Sequence, residues 1–252
     1  MGSAGSAGSL RARASVGAAG LVIVLLLSSP LASASTPIYS AHAPFRTAHF
    51  TTSTQVSLPT CRGTGQVSAD SLNLSNGQTL MALNVSDHPG CVGGIVGNQV
   101  TAFLVFTSGR FTIHSSGVHA LTTFWRLNLS ANASTLNLGS GSNTVTQISA
   151  GFQVQFLVTL IDLSPFGSSV ASSFSNRSAV GGNASSTFHL NRTVTMPFAV
   201  ALNSGDTYKV VVELISTVWG VVHERLGPEY VSAAVNFAPN GHPSVFRGFT
   251  IT

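Results

Sequence analysis

Phe152-Gln153-Val154-Gln155-Phe156-Leu157-Val158-Thr159-Leu160 decides the fold. Every even position is apolar and most odd ones are polar. A period of two places one set of side chains on a buried face and the other towards solvent, which is a β-strand. Further along, Val194, Met196, Phe198, Val200 and Leu202 alternate in the same way. The pattern resumes at Tyr208, Val210, Val212 and Leu214 after Asn203-Ser204-Gly205-Asp206, so 194–214 is expected to form a hairpin.

Towards the N-terminus, Asn76-Gly77 separates two strand-like runs, 71–75 and 78–85. Asn-Gly suits the positive-φ turn of a twisted hairpin. Ser108-Gly109, between 100–107 and 110–114, suggests another hairpin, and Asn240-Gly241 marks a further tight turn. No segment carries a convincing helical period; the best, near 223–226, is about one turn. The fold expected is all-β: an antiparallel sandwich, jelly-roll or immunoglobulin-like, with one disulfide. Trp125 shares a strand face with Leu121, Leu127 and Leu129 and belongs to its core. The domain is placed at 51–252, after a loose lead-in at 35–50. The Ser-rich stretch 164–187 is read as a long polar loop within it.

Residues 1–34 have the parts of a cleaved export signal. Arg11 and Arg13 precede an apolar run from Val16 to Leu27, and small residues lead to a cut expected after Ala34. The apolar run is shorter than the roughly 18–20 residues that span a bilayer. The mature chain is therefore expected outside the cell or at its surface, with membrane contact only through an uncleaved signal. Cys61 and Cys91 are the only cysteines, and in an oxidising compartment such a pair reads as a disulfide. Closing that loop of about 31 residues contributes roughly 3–4 kcal/mol on the chain-entropy view.

Charged residues are 7% of the chain, against the usual quarter or so, and hydroxyls and amides take their place. Removing Arg11 and Arg13 leaves nine basic residues against seven acidic ones, a net charge near +2. No mature segment clusters its arginines, so nucleic acid is not an expected partner. Seven N-x-Ser/Thr sequons, at Asn73, Asn84, Asn128, Asn132, Asn176, Asn183 and Asn191, are about twice the chance number and suggest N-glycosylation. With so few carboxylates, stability is expected to change little between about pH 3 and pH 7.

Motifs for chemistry are scarce. Asp162 and Glu213 are the one nameable carboxylate pair for a glycosidase, although Glu213 alternates outward beside Lys209 and Val211 as a solvated residue would. There is no GxSxG elbow in the mature chain. His223-Glu224 begins an HExxH motif that fails at Gly227. His114 and His119 could meet across a turn at Ser116-Gly117, a weak metal idea; no metal or cofactor is expected. The glycines around Cys91 lack a phosphate-binding spacing.

The function expected is an exported, non-catalytic binding or surface-interaction module. Carbohydrate is its natural ligand, read by hydroxyls, amides and an aromatic face. Trp219, Tyr230 and Tyr39 are the candidates for that face. The alternatives are a glycosylated structural component of the cell envelope, and a secreted hydrolase. Oligomeric state is not legible.

Overall fold

Thirteen strands make up almost all of the computed structural model, which describes residues 36–57, 64–88, 95–137, 148–165, 167–223 and 229–252. The export signal, Cys61, Cys91, most of the glycines around Cys91 and positions 224–226 of the expected one-turn helix lie outside the described residues, while His223 ends a strand. In chain order the strands are β1 (Tyr39–Ala41), β2 (Arg46–Ser57), β3 (Thr64–Asn73), β4 (Gln78–His88), β5 (Ile95–Thr107), β6 (Phe111–Thr112) and β7 (Gly117–Asn137). There follow β8 (Ile148–Asp162), β9 (Ser169–Gly181), β10 (Ala184–Leu202), β11 (Thr207–His223), β12 (Glu229–Asn236) and β13 (Ser244–Ile251). All belong to one compact unit, Ser33–Thr252. Among the described residues no helix is long and apolar enough to cross a membrane.

Two antiparallel sheets result. A seven-stranded sheet runs β1-β13-β4-β12-β7-β10, with β3 on β4, and a six-stranded sheet runs β2-β5-β11-β8-β9, with β6 on β11. Their inward residues share one core. Trp125 on β7 is fully buried, 5.0 Å from Phe156 of the opposite sheet and 4.9 Å from Phe246. Phe106 of β5 meets Trp125 edge-on at 6.0 Å. Such tilted and edge-on contacts suit the quadrupoles of aromatic rings. The 152–160 alternation is borne out: Phe152, Val154, Phe156, Val158 and Leu160 are all buried.

The β3–β4 hairpin forms at Asn76-Gly77. Gly77 has φ +86°, and a side chain there would strike the Phe246 carbonyl. Gly77 is required twice over, by its turn and by the close approach of β13. The ladder starts at Asn73 opposite Thr79 and ends at Thr64 opposite His88.

Several expectations need correction. β10 and β11 are not a hairpin: β10 pairs with β7 in one sheet, and β11 with β5 and β8 in the other. The link at 203–206 passes between sheets, because alternation shows which face is buried but not which sheet the strand joins. Ser108-Gly109 makes no hairpin either, since β6 pairs with β11. Asn240-Gly241, with φ 58° and 76°, joins β12 to β13, which lie one after the other along β7. The lead-in contains β1 and the start of β2, and 164–187 contains β9 and the start of β10. β2, β9 and β10 are edge strands whose many polar side chains remain exposed, so they lack the hydrophobic contrast of central strands.

Candidate functional site

The two sheets turn very different outer faces to solvent. Register places Asn84, Ala234, Asn132 and Thr187 in one row across the outer face of the seven-stranded sheet. Ser86, Ser232, Ser134 and Ser185 form the next row, with a 2.8 Å hydroxyl contact between Ser134 and Ser232. Asn128 faces Asn191 on the same side. This face is mostly hydroxyl and amide, with Leu72, Leu80, Leu136 and Tyr230 also exposed on it, and it holds four of the seven sequon asparagines.

The outer face of the six-stranded sheet carries an aromatic and aliphatic strip with a polar row along one side. One row reads Phe50, Phe103, Ile215, Gln155, Ser175 from β2 to β9. On one side of it run Ala48, Val105, Glu213, Leu157 and Ser173. On the other run Thr52, Thr101, Thr217, Gln153 and Arg177, with Thr101 and Thr217 joined hydroxyl to hydroxyl at 2.9 Å. Phe50 stacks on Phe103 with centroids 4.3 Å apart and planes 11° apart, and Phe50 remains 50% exposed. A flat, half-exposed aromatic pair beside donor and acceptor side chains is the candidate site.

Trp219 sits two rows beyond the pair, opposite Gln99 and Gly151. Its indole crosses β8 over Gly151, where a methyl group would meet Trp219 Cε2 at 2.7 Å and the Ser178 carbonyl at 2.6 Å. Arg177 of β9 covers the ring at 4.9 Å, a cation–π contact. Trp219 is thus at the candidate face, but capped. Gly151→Ala must displace the indole or the β9 backbone. It is expected to lower unfolding free energy by about 2 kcal/mol, as overpacking does, and to shift tryptophan fluorescence. An unchanged denaturation midpoint would contradict this packing.

The other two aromatics named from sequence are elsewhere. Tyr39 stacks on Phe111 at 4.0 Å and lies 5.9 Å from Phe249; burial pushes its hydroxyl pKa up. Tyr39 is level with Leu121 of β7 through Ile251, whereas Tyr230 is opposite Leu136. Fifteen residues of one strand, about 50 Å, separate these levels. Tyr39, Tyr230 and Trp219 therefore form no common surface. Phe50 and Phe103 had a legible signal in part: Phe103, Val105 and Ile215 are apolar where alternation calls for polar residues.

The acid pair also fails to converge. Glu213 is opposite Leu157, and Asp162 is five residues further along β8, about 17 Å away. Glycosidase carboxylates stand about 5–9.5 Å apart. Asp162 instead accepts a 2.9 Å hydrogen bond from the Ser164 amide. Among the described residues no three His, Cys, Asp or Glu gather as a metal set. The basic residues do gather, contrary to expectation: Arg46, Arg110 and Lys209, far apart in sequence, line one cleft.

A buried polar pair lies between the sheets. Asp87 of β4 is 1% exposed, and its Oδ1 accepts a hydrogen bond from the Asn98 amide of β5. Its Oδ2 has no hydrogen-bond partner among the described residues and lies over Gly220, where a Cβ would meet it at 3.1 Å. Desolvation raises the Asp87 pKa from 3.8 to about 6, the two Asn98 hydrogen bonds opposing it.

No protein-family profile and no curated protein matches the chain. Among solved structures, the chain is similar to the enzymatically active domain of tailspike protein 4 from bacteriophage CBA120, at 16% identity and TM-score 0.18. That match covers 73% of this chain and 19% of the tailspike chain, so it spans under a fifth of that protein. A second similarity is to TmCBM61 in complex with β-1,4-galactotriose, at 9% identity and TM-score 0.16, covering 77% of this chain and 88% of that one. A third is to the membrane-inserted form of the Clostridium perfringens NetB toxin, at 6% identity and TM-score 0.17, covering 73% and 100%.

Proposed function

We propose that the protein is an exported, non-catalytic binding module and that the outer face of its six-stranded sheet takes carbohydrate. The observation carrying this reading is the stacked Phe50–Phe103 pair, with Phe50 half open to solvent, beside a row of Thr and Gln. A pyranose presents C–H groups on its faces and hydroxyls around its rim. The faces suit an aromatic ring and the rim suits hydroxyl and amide side chains. The test is co-sedimentation of the purified full-length protein with a panel of insoluble polysaccharides. Selective retention on one of them, competed off by its soluble fragments, supports the reading. No retention on any overturns it.

Carbohydrate attached to the protein itself belongs away from that face, on the opposite sheet and at the β9–β10 turn. Asn132, Asn183 and Asn191 are exposed, whereas Asn73 is 3% exposed and its amide donates to the Val105 carbonyl at 2.7 Å. Attachment at the first three leaves the aromatic face open, and the burial of Asn73 disfavours attachment there. A disulfide between Cys61 and Cys91 is proposed with it. Each cysteine lies three residues beyond the Thr64–His88 end of the β3–β4 ladder, the distance a continuing register needs. A non-reducing peptide map of the exported protein is expected to show glycopeptides at Asn132, Asn183 and Asn191, none at Asn73, and a linked Cys61–Cys91 pair. Glycan on Asn73 or free thiols would contradict it.

The envelope-component reading rests on Val105, Leu157 and Ile215, which make the same face apolar enough to pack against a second copy. Concentration-dependent assembly in sedimentation velocity, without any saccharide, would favour it over the binding module.

A further inference from the structure

Of the seven Lys and Arg among the described residues, three meet at one place. Arg46 begins β2, Arg110 follows β5, and Lys209 is near the start of β11; with Thr107, Ser108 and Gly109 they line a cleft of about 280 Å³. Ser108 builds it. Its amide donates to the Val210 carbonyl at 2.9 Å, and its hydroxyl accepts from the Val210 amide at 2.9 Å and donates to the Gly109 carbonyl at 2.7 Å. This ties the exit of β5 to β11, so the chain turns at Gly109 and brings Arg110 beside the other two cations. None of the three forms an ion pair among the described residues. The carboxylates nearest along the ladder are engaged or distant: Asp162, opposite Tyr208, accepts from the Ser164 amide, Asp206 accepts from the Asn203 side chain, and Glu213 is four residues from Lys209 along β11, about 13 Å. Three like charges in one cleft repel one another, and an anion placed among them removes that cost. Two guanidinium forks and an ammonium suit the oxygens of a carboxylate or sulfate, and the cleft has room for such a group.

We propose that this cleft binds the carboxylate or sulfate group of an acidic polysaccharide, an assignment of ligand class that rests on the carbohydrate reading of the adjoining sheet face. Arg46 and Phe50 lie on one strand and one face, four residues or about 13 Å apart. A chain with one sugar ring on the Phe50–Phe103 pair reaches the cleft with the charged group of a nearby residue.

The test compares matched polymers with the full-length protein: polygalacturonate against its methyl ester, and dextran sulfate against dextran. The acidic member is expected to bind about tenfold or more tightly, with an advantage that shrinks as salt rises. Arg46→Gln and Lys209→Gln each remove about tenfold from acidic binding and leave neutral binding unchanged, as does the control Arg192→Gln for both. Phe50→Ala weakens both members of each pair. Equal binding of acidic and neutral forms, or cleft variants without effect, overturns the proposal while leaving the sheet-face reading intact. Binding of sulfate ion that depends on Arg46 and Lys209, with no polysaccharide bound at all, overturns the sheet-face reading and the acidic glycan together, leaving only an anion cleft. DNA or anionic vesicles bound as tightly as the acidic polymers, through the same residues, overturns the assignment to acidic glycan.

Discussion

Phe50→Ala is expected to weaken polysaccharide retention at least tenfold while the melting temperature hardly moves. The two readouts separate because Phe50 is on an edge strand and half exposed, and because its main partner, Phe103, remains held by β5 between β2 and β11. Losing a central aromatic contact costs a binding site about 2 kcal/mol, somewhat more than a factor of ten. The fold loses only the burial of part of one ring, roughly 1 kcal/mol. Phe106→Ala provides the contrast. That ring is 1% exposed and packs on Phe45, Trp125 and Phe246, so its removal is expected to cost about 3–5 kcal/mol of stability. Retention of Phe50→Ala equal to the parent would place the ligand elsewhere.

The second large effect is an increase in stability on acidification. Asp87 has a pKa of about 6 in the folded protein and 3.8 ordinarily. Below 3.8 both the folded and the unfolded forms carry the proton, and above 6 neither does. Between these values the folded state holds more protons, so unfolding free energy falls as pH rises through the window and recovers as pH falls. The difference across the whole window is about 3 kcal/mol. The sequence-based expectation of little pH dependence is therefore revised: few acids leave little to destabilise at low pH, and the buried Asp87 adds stability there. A neutral carboxyl can also donate, which suits a site where the Asn98 Oδ1 has no partner among the described residues. Urea denaturation at about pH 3.5 and about pH 7.5 measures the effect, and Asp87→Asn, which cannot ionise, is expected to remove most of it. A parent protein equally stable at both values would contradict the buried, ionisable Asp87.

Strand positions were readable because alternation reports burial, and central strands such as β8 have it in full. Pairing was not readable. Residues 194–202 and 208–214 alternate alike, yet they line opposite walls of the same core, and no local signal separates a hairpin from a crossing between sheets. β9 was invisible for another reason: at the sheet edge its inward Phe174 and Val180 are only half-buried, and Ser can sit on either face. The turn at Gly77 needed only its dipeptide. At the candidate site, Trp219 was found by residue type alone, without the Gly151 groove or the Arg177 cap. Phe50 fell in the supposed lead-in. Arg46, Arg110 and Lys209 meet only through the β2–β5–β11 pairing, so a search for charge runs had nothing to find.

Hydrogen–deuterium exchange of the full-length protein with and without a retained polysaccharide fragment tests the central claim most directly. Protection is expected in β2, β5 and β11 near Phe50, Phe103 and Ile215, while β4, β7 and β12 are unchanged. Protection confined to the seven-stranded sheet would contradict a binding surface on the six-stranded one.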